Sequence, residues 1–188
     1  MIGVSLEYIR KVLDQSLMTH FGMEASVVVL NNLVDMNGNS PQKNQNKLVV
    51  TLVNLEYEIN KQFYGGQRQD AAQISRTNPA VCFNLDILVS ANFDEYSEAL
   101  KFLTATIGFF QENLSFTRAN HPALPQGIST LQFEIENSPS GKTHNLWTAL
   151  GAKYLPSMIY KIRHVSVLSG QIKGAFAAVQ DTSAVAQP

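Results

Sequence analysis

AVCFNLDILVSANFDEYSEALKFLTATIGFFQEN, residues 80–113, decides the fold of this chain, because the hydrophobic period changes once inside it. Val81, Phe83, Leu85, Ile87, Val89 and Ala91 share one face, while Cys82, Asn84, Asp86, Ser90 and Asn92 share the other, with Leu88 the single interruption. A period of two marks a strand. Beyond Phe93 the apolar residues Tyr96, Leu100, Leu103, Ile107 and Phe110 recur at spacings of four, three, four and three, a helical stripe. Ala99, Phe102, Thr106 and Phe109 make a second stripe beside it. A helix apolar on two sides needs two covers. The sheet is expected to cover one side, and something else the other.

Upstream, residues 47–59 read as a long strand. Val49, Thr51, Val53, Leu55, Tyr57 and Ile59 form one apolar face, and the opposite face changes from Leu48, Val50 and Leu52 to Asn54, Glu56 and Glu58. The first half is expected to be buried on both faces and the second on one. Residues 4–21 form an amphipathic helix, with Leu6, Ile9, Leu13 and Leu17 inward, Glu7, Arg10, Lys11 and Asp14 outward, and Gly22 as its stop. Residues 25–30 are a short β-branched strand, and 35–46 are a surface loop of turn residues. Residues 60–79 hold no sustained period. Phe63 and Tyr64, before Gly65-Gly66, either anchor an interface or tuck under their own loop.

Downstream of a proline-containing loop at 114–127, residues 128–136 alternate again, with Leu131, Phe133 and Ile135 inward and Gln132, Glu134 and Glu136 outward. A short helix over about Thr143 to Leu150 and a last strand from Ser157, basic at Lys161, Arg163 and His164, complete the pattern. The expected fold is α+β: a single domain with a mainly antiparallel or mixed sheet of about four to five strands, packed with an N-terminal helix, a long central helix and a short third helix.

Only 15% of the 188 residues are charged and the net charge is −1, so the chain lacks the basic excess of a nucleic-acid binder. Low charge suits surfaces covered by neighbouring subunits, although composition alone favours a weakly charged monomer. The single cysteine, Cys82, allows no intrachain disulfide, which fits assembly in a reducing cytoplasm. No apolar run approaches the ~20 residues of a membrane span, so membrane insertion is not expected. The start, MIGVSLEYIRKVL, lacks the basic and then apolar regions of a secretory signal.

Residues that suggest chemistry read better as structure. SerGlyLysThr at 140–143 resembles the end of a phosphate loop, but Glu136 stands where that loop needs its first glycine. His20, His121, His144 and His164 lie in four separate elements, none at a metal-ligand spacing from another. Cys82, inside a strand, reads as a small core residue. Glu56, Glu58, Glu134 and Glu136 are either a solvated strand face or paired carboxylates on one sheet face. No catalytic, cofactor-binding or metal-binding residue is assigned.

Four phrases in order resemble a known family: NKLVVTLVNLEYE (46–58), the segment from Val81 to Asn113, LPQGISTLQFEIEN (124–137) and NLWTALGAKYLPSMIYKIR (145–163). With the N-terminal helix they resemble the N-terminal domain of tube-terminating cap proteins. These belong to extracellular contractile injection systems of the antifeeding-prophage and virulence-cassette type, and they are similar in role to phage tail terminators. The resemblance covers roughly residues 3–168. It also sharpens the reading of the central helix: Leu100, Leu103, Ile107 and Phe110 should pack on the chain's own sheet, and Phe102 and Phe109 should lie under another segment of the chain or at a subunit boundary. It implies a structural protein, not an enzyme: a six-membered ring of copies on the baseplate-distal end of the inner tube, touching the last sheath layer and ending polymerisation. It implies three partners (the chain itself, the inner tube protein and the sheath protein), with no nucleic acid and no cofactor. Assembly would be cytoplasmic, within a particle that is released or anchored at a membrane. Residues 1–170 would form the terminator-like domain, and 171–188 a tail ordered by neighbours. Phe63, Tyr64, Arg68, Phe102, Phe109, Lys161, Arg163 and Phe176 are the expected interface residues. A stand-alone protein-binding adaptor is the alternative, and an enzyme with an unrecognised pocket a weaker one.

Overall fold

A computed structural model describes residues 1–58, 67–70, 73–77, 81–167 and 172–177. They form helices α1 (Ile2–Phe21), α2 (Tyr96–Glu112) and α3 (Ser140–Leu150), and strands β1 (Val28–Leu30), β2 (Lys47–Tyr57), β3 (Gln67–Asp70), β4 (Gln73–Thr77), β5 (Val81–Asn92), β6 (Ser115–Thr117), β7 (Thr130–Ile135), β8 (Ser157–Val167) and β9 (Ile172–Ala177). Six strands make the main sheet in the order β1-β2-β5-β8-β7-β6. Among the described residues, the β1–β2 pair of this sheet is parallel and its other pairs are antiparallel. The sheet exceeds the expected strand count because β6, three residues long, is too short to show a period.

β5 is the hub. Leu85, Ile87, Val89 and Ala91 are at most 0% exposed and face α1 and α2 across the larger core. Its other side carries Leu88 into a smaller core with Val49, Ile159 and Trp147 of α3. The first half of β2, from Leu48 to Thr51, is accordingly buried on both faces.

The second half of β2 departs from the expected single apolar face. Leu52 pairs with Ile87 but Asn54 pairs with Asp86, so the register slips by one residue at Val53. A bulge reverses the alternation beyond it. Leu48, Val50 and Leu52 point toward the helices before the slip, and Leu55 and Tyr57, opposite Leu85 and Phe83, do so after it. A second slip lies opposite Asn84, where β8 carries an extra residue between Ile162 and Val165. Both keep polar side chains off the helix-covered face.

Two contacts fix the helices. Asp14, read as an outward residue of α1, is 8% exposed; its Oδ1 accepts the Val27 and Val28 amides at 2.8 and 2.9 Å. These bonds tie α1 to the start of β1, and Arg10 Nη1 lies 3.5 Å from the other carboxylate oxygen. Gly22 closes α1 in the left-handed conformation, φ 64°, where glycine meets no side-chain penalty.

On α2 the second stripe, Ala99, Phe102, Thr106 and Phe109, is buried within the chain, and of the first stripe Phe110 packs on the sheet against Phe133 and Tyr160 as expected. The departure is in the rest of the first stripe, where Leu100 is 43% exposed and Leu103 and Ile107 are half-buried. Small residues at 99 and 106 let the helix approach closely, and the intervening phenylalanines fill the space beside them. Phe102 stacks on Phe93 at 4.6 Å and meets Phe21 of α1 at 4.6 Å.

Residues 60–79 were expected to be a loop. Within them β3 and β4 pair as antiparallel strands, and β9 pairs with β4 in a three-stranded sheet. Polar residues fill both faces of Gln67–Asp70, so alternation is invisible there in the sequence.

Phe102→Ala should lower stability by about 3–5 kcal/mol, and Leu100→Ala by within about 0.5 kcal/mol. Urea denaturation of both variants checks the stripe assignment, which the opposite ranking would refute.

Candidate interaction surfaces

The face of the sheet away from α1 and α2 is divided. α3 covers one end through Trp147, with Leu146 and Leu150 packed alongside. The other end carries charge. Asn54, Asp86, Lys161 and Glu134 stand opposite one another across β2, β5, β8 and β7. Lys161 donates to Glu56 Oε2 at 2.8 Å and lies 3.8 Å from both Asp86 Oδ1 and Glu136 Oε2. Its pKa is raised, first by the Glu56 hydrogen bond and then by the surrounding carboxylates against a burial cost. Arg163 Nε lies 2.7 Å from Glu134 Oε2, and Nη1 lies 4.0 Å from Glu58. Lys142, in the first turn of α3, reaches Glu136 Oε1 at 2.6 Å. This hydrogen bond is the main cause holding the Glu136 carboxyl below the ordinary glutamate range.

The four glutamates anticipated on one face are therefore there, but each is matched by a cation. An acid–base pair needs a carboxyl raised toward neutrality, and Glu136 is shifted the other way. Asp86 is 6% exposed, with Oδ2 accepting from the Asn54 amide at 3.0 Å. A buried carboxylate of this kind depends on its cation.

The helix-covered face ends in apolar surface. Outward on α2, Tyr96 and Leu100 are 66% and 43% exposed, and Leu114 and Ile135 beyond its C-terminus are 64% and 54% exposed. Between Leu114 and Ile135 a groove of about 580 Å³ opens, its apolar wall made by Ile107, Phe110, Phe133 and Tyr160, with Gln111 and Glu134 also lining it. Burial pushes the Tyr160 hydroxyl up to about 12.

The expected interface residues divide accordingly. Phe102 and Phe109 are buried inside the chain and supply no surface to a neighbour. This corrects their candidacy, and the reason is that theirs is the core-facing stripe. Lys161 and Arg163 belong to the charged face. Arg68 stands opposite Ser75 in β3 and Phe176 opposite Ile74 in β9. Phe63 and Tyr64 lie outside the described residues. The sequence reading missed the outward stripe of α2 and the Leu114–Ile135 surface. The signal was the pair of stripes, since part of one had to remain outside.

Cys82 is 2% exposed, as a small core residue would be. His121 Nδ1 lies 3.3 Å from Tyr8 Oη, and burial lowers its pKa. Among the described residues, no three His, Cys, Asp or Glu side chains gather as a metal site, and no helix is long and apolar enough to cross a membrane.

Residues 6–180 match the sequence pattern of the family described as the Pvc16 N-terminal domain. No curated protein matches the sequence. Two cryo-EM structures share the fold. The sheath/tube terminator of PVC, an extracellular contractile injection system, in its extended state, is 13% identical with a TM-score of 0.61, over 96% of this chain and 62% of its own. The anti-feeding prophage cap, a tube terminating cap, is 14% identical with a TM-score of 0.57, over 93% of this chain and 60% of its own. The chain thus spans about three-fifths of the length of each.

Lys161→Met should cost about 3 kcal/mol at neutral pH, because Asp86 is left buried without its cation. Glu136→Gln tests the pH dependence. The Glu136 contribution is complete above the unfolded-state value of about 4.3 and is lost as pH falls through the lower native value. The melting temperature of the wild type should therefore exceed that of Glu136→Gln at neutral pH, and the gap should close in acid.

Proposed function

The chain belongs to the Pvc16 N-terminal domain family, and from that premise we propose that it caps a contractile, phage-tail-like injection particle. Copies form a ring on the baseplate-distal end of the inner tube, meet the last sheath layer and end polymerisation. The ring is six-membered, matching the symmetry the family resemblance implies. The chain acts as a structural part and carries no reaction. It assembles in the cytoplasm, within a particle that is then released or anchored at a membrane.

The observation that carries this reading is the apolar surface left on a well-packed domain. Tyr96, Leu100, Leu114 and Ile135 stay exposed while the core behind them is closed by Phe102, Phe109 and Phe110. Contiguous exposed apolar surface marks a place where another protein sits. The charged face supports the same role from the other side, since a network of matched ions gives register and partner selection more than raw affinity. The sheet of β3, β4 and β9 supports a further contact region, because among the described residues its outer strands have a neighbour on one side alone, and such edges favour strand addition.

Electron microscopy of particles from a strain lacking this protein tests the role. Particles of uncontrolled length, or incomplete and unstable ones, are expected, with normal length restored by the wild-type chain. Particles of normal length and stability without the protein would overturn the assignment. A chain that binds tube or sheath protein yet stays monomeric at high concentration would point to a stand-alone adaptor instead.

A further inference from the structure

Among the described residues the main sheet is open at two places, one at each side. On one side β1 accompanies β2 only along Leu48–Val50, so no strand lies beside Leu52–Tyr57 among the described residues. The Glu58 amide donates to the Cys82 carbonyl of β5. Main-chain direction alternates along a strand, so Leu55 and Tyr57 direct their N–H and C=O groups away from β5. Their side chains, with Leu52, lie on the helix-covered face and are 37–54% exposed. On the other side β6 accompanies β7 only along Thr130–Gln132. The Phe133 amide then reaches the Leu114 carbonyl, and the Glu136 amide turns back to Ile159 of β8. Ile135 between them therefore presents its main chain outward.

Each face of the sheet beside Ile135 holds a cavity, and each cavity is walled by a residue with an unmet buried polar atom. The apolar groove on the helix-covered side contains Tyr160, whose Oη has no partner. On the charged side a cavity of about 330 Å³ lies among Glu136, Ser138, Thr143 and Trp147, and Trp147 Nε1 has no acceptor. These residues are only 1% and 5% exposed, and an unmet buried donor is costly. A strand laid along Ile135 would send alternate side chains toward both cavities.

We propose that the open edge of β2, Leu52–Tyr57, from a second copy adds to the Ile135 end of β7, so that one sheet runs head to tail from copy to copy. The two edges match face by face. Leu52, Leu55 and Tyr57 are apolar on the side where the groove is apolar. Asn54 lies on the opposite face; its Nδ2 is used by Asp86 and Glu56, which leaves its Oδ1 as an acceptor for the Trp147 indole N–H. Because two different edges meet, the contact is heterologous and closes only as a ring. The inference rests on the ring reading and names the surfaces that build it.

Cysteine pairs test it in the full chain, whose own Cys82 is buried. Leu55→Cys with Ile135→Cys, and Leu52→Cys with Ile135→Cys for the neighbouring register, should give ladders of disulfide-linked species under mild oxidation, since paired strands bring Cα atoms within about 7 Å. Each single variant should give none. Ile135→Asp and Leu55→Asp should each abolish the oligomer seen by light scattering while keeping a cooperative melting transition, one that no longer depends on protein concentration. A wild-type oligomer unaffected by either aspartate, with no ladder from either pair, overturns this inference and leaves the ring. Disulfide dimers from a single cysteine variant overturn it in favour of like edges pairing. A wild-type chain that stays monomeric at the highest concentration reached overturns ring and inference together.

Discussion

Between Leu52 and Asn54 the partners of β2 on β5 move by one residue fewer than β2 itself does, and Val53 is the surplus. Without that slip Asn54 and Glu56 would point into the space beneath the helices, and Leu55 and Tyr57 would stand beside Lys161. A buried, unpaired carboxylate would shift its pKa or open the structure rather than remain charged there. The slip instead places Glu56 within 2.8 Å of Lys161 and returns the apolar residues to the helix side. The irregularity in β8 opposite Asn84 repeats the correction on the other flank of β5. The charged face and the open apolar edge of β2 are two results of the same displacement.

The separation of polarity is carried through by the helices. Asp14 binds α1 to the chain just before β1 through two amide bonds, a short tether that leaves α1 free to press Leu6, Ile9, Leu13 and Leu17 onto the sheet. α2 turns Phe102, Phe109 and Phe110 into the core, and among the described residues nothing covers Tyr96 and Leu100 on its outer side. A single domain of this size normally hides such a stripe or uses it. Here it continues past Leu114 to the end of β7, where the sheet edge is also open.

The proposed cap would hold neighbours in one plane and present different faces along the particle axis. The described residues are divided in a corresponding way, with matched ions on one face of the sheet, apolar surface on the other, and strand edges without a neighbour at its sides. Binding energy in such a part comes from repeated interfaces rather than from a pocket, and the matched glutamates of β2 and β7 fit that economy of purpose better than they fit proton transfer.

Much of this was legible in the chain itself. The change from period two to period 3.6 within residues 80–113 identified β5 and α2, because alternation and helical spacing follow from local backbone geometry alone. Gly22, the double burial at the start of β2 and the family resemblance were readable for the same reason: each is a property of contiguous residues. What only the tertiary structure decided was which of two equally apolar stripes of α2 faces inward, where β2 and β8 slip, and that Asp14 is a buried tether. None of these has a local signature. The stripe depends on Phe21 and Phe93 meeting Phe102, the slip on the partner strand's register, and Asp14 on amides thirteen and fourteen residues away. Each is a contact between distant segments, and periodicity within one segment carries no information about its partner.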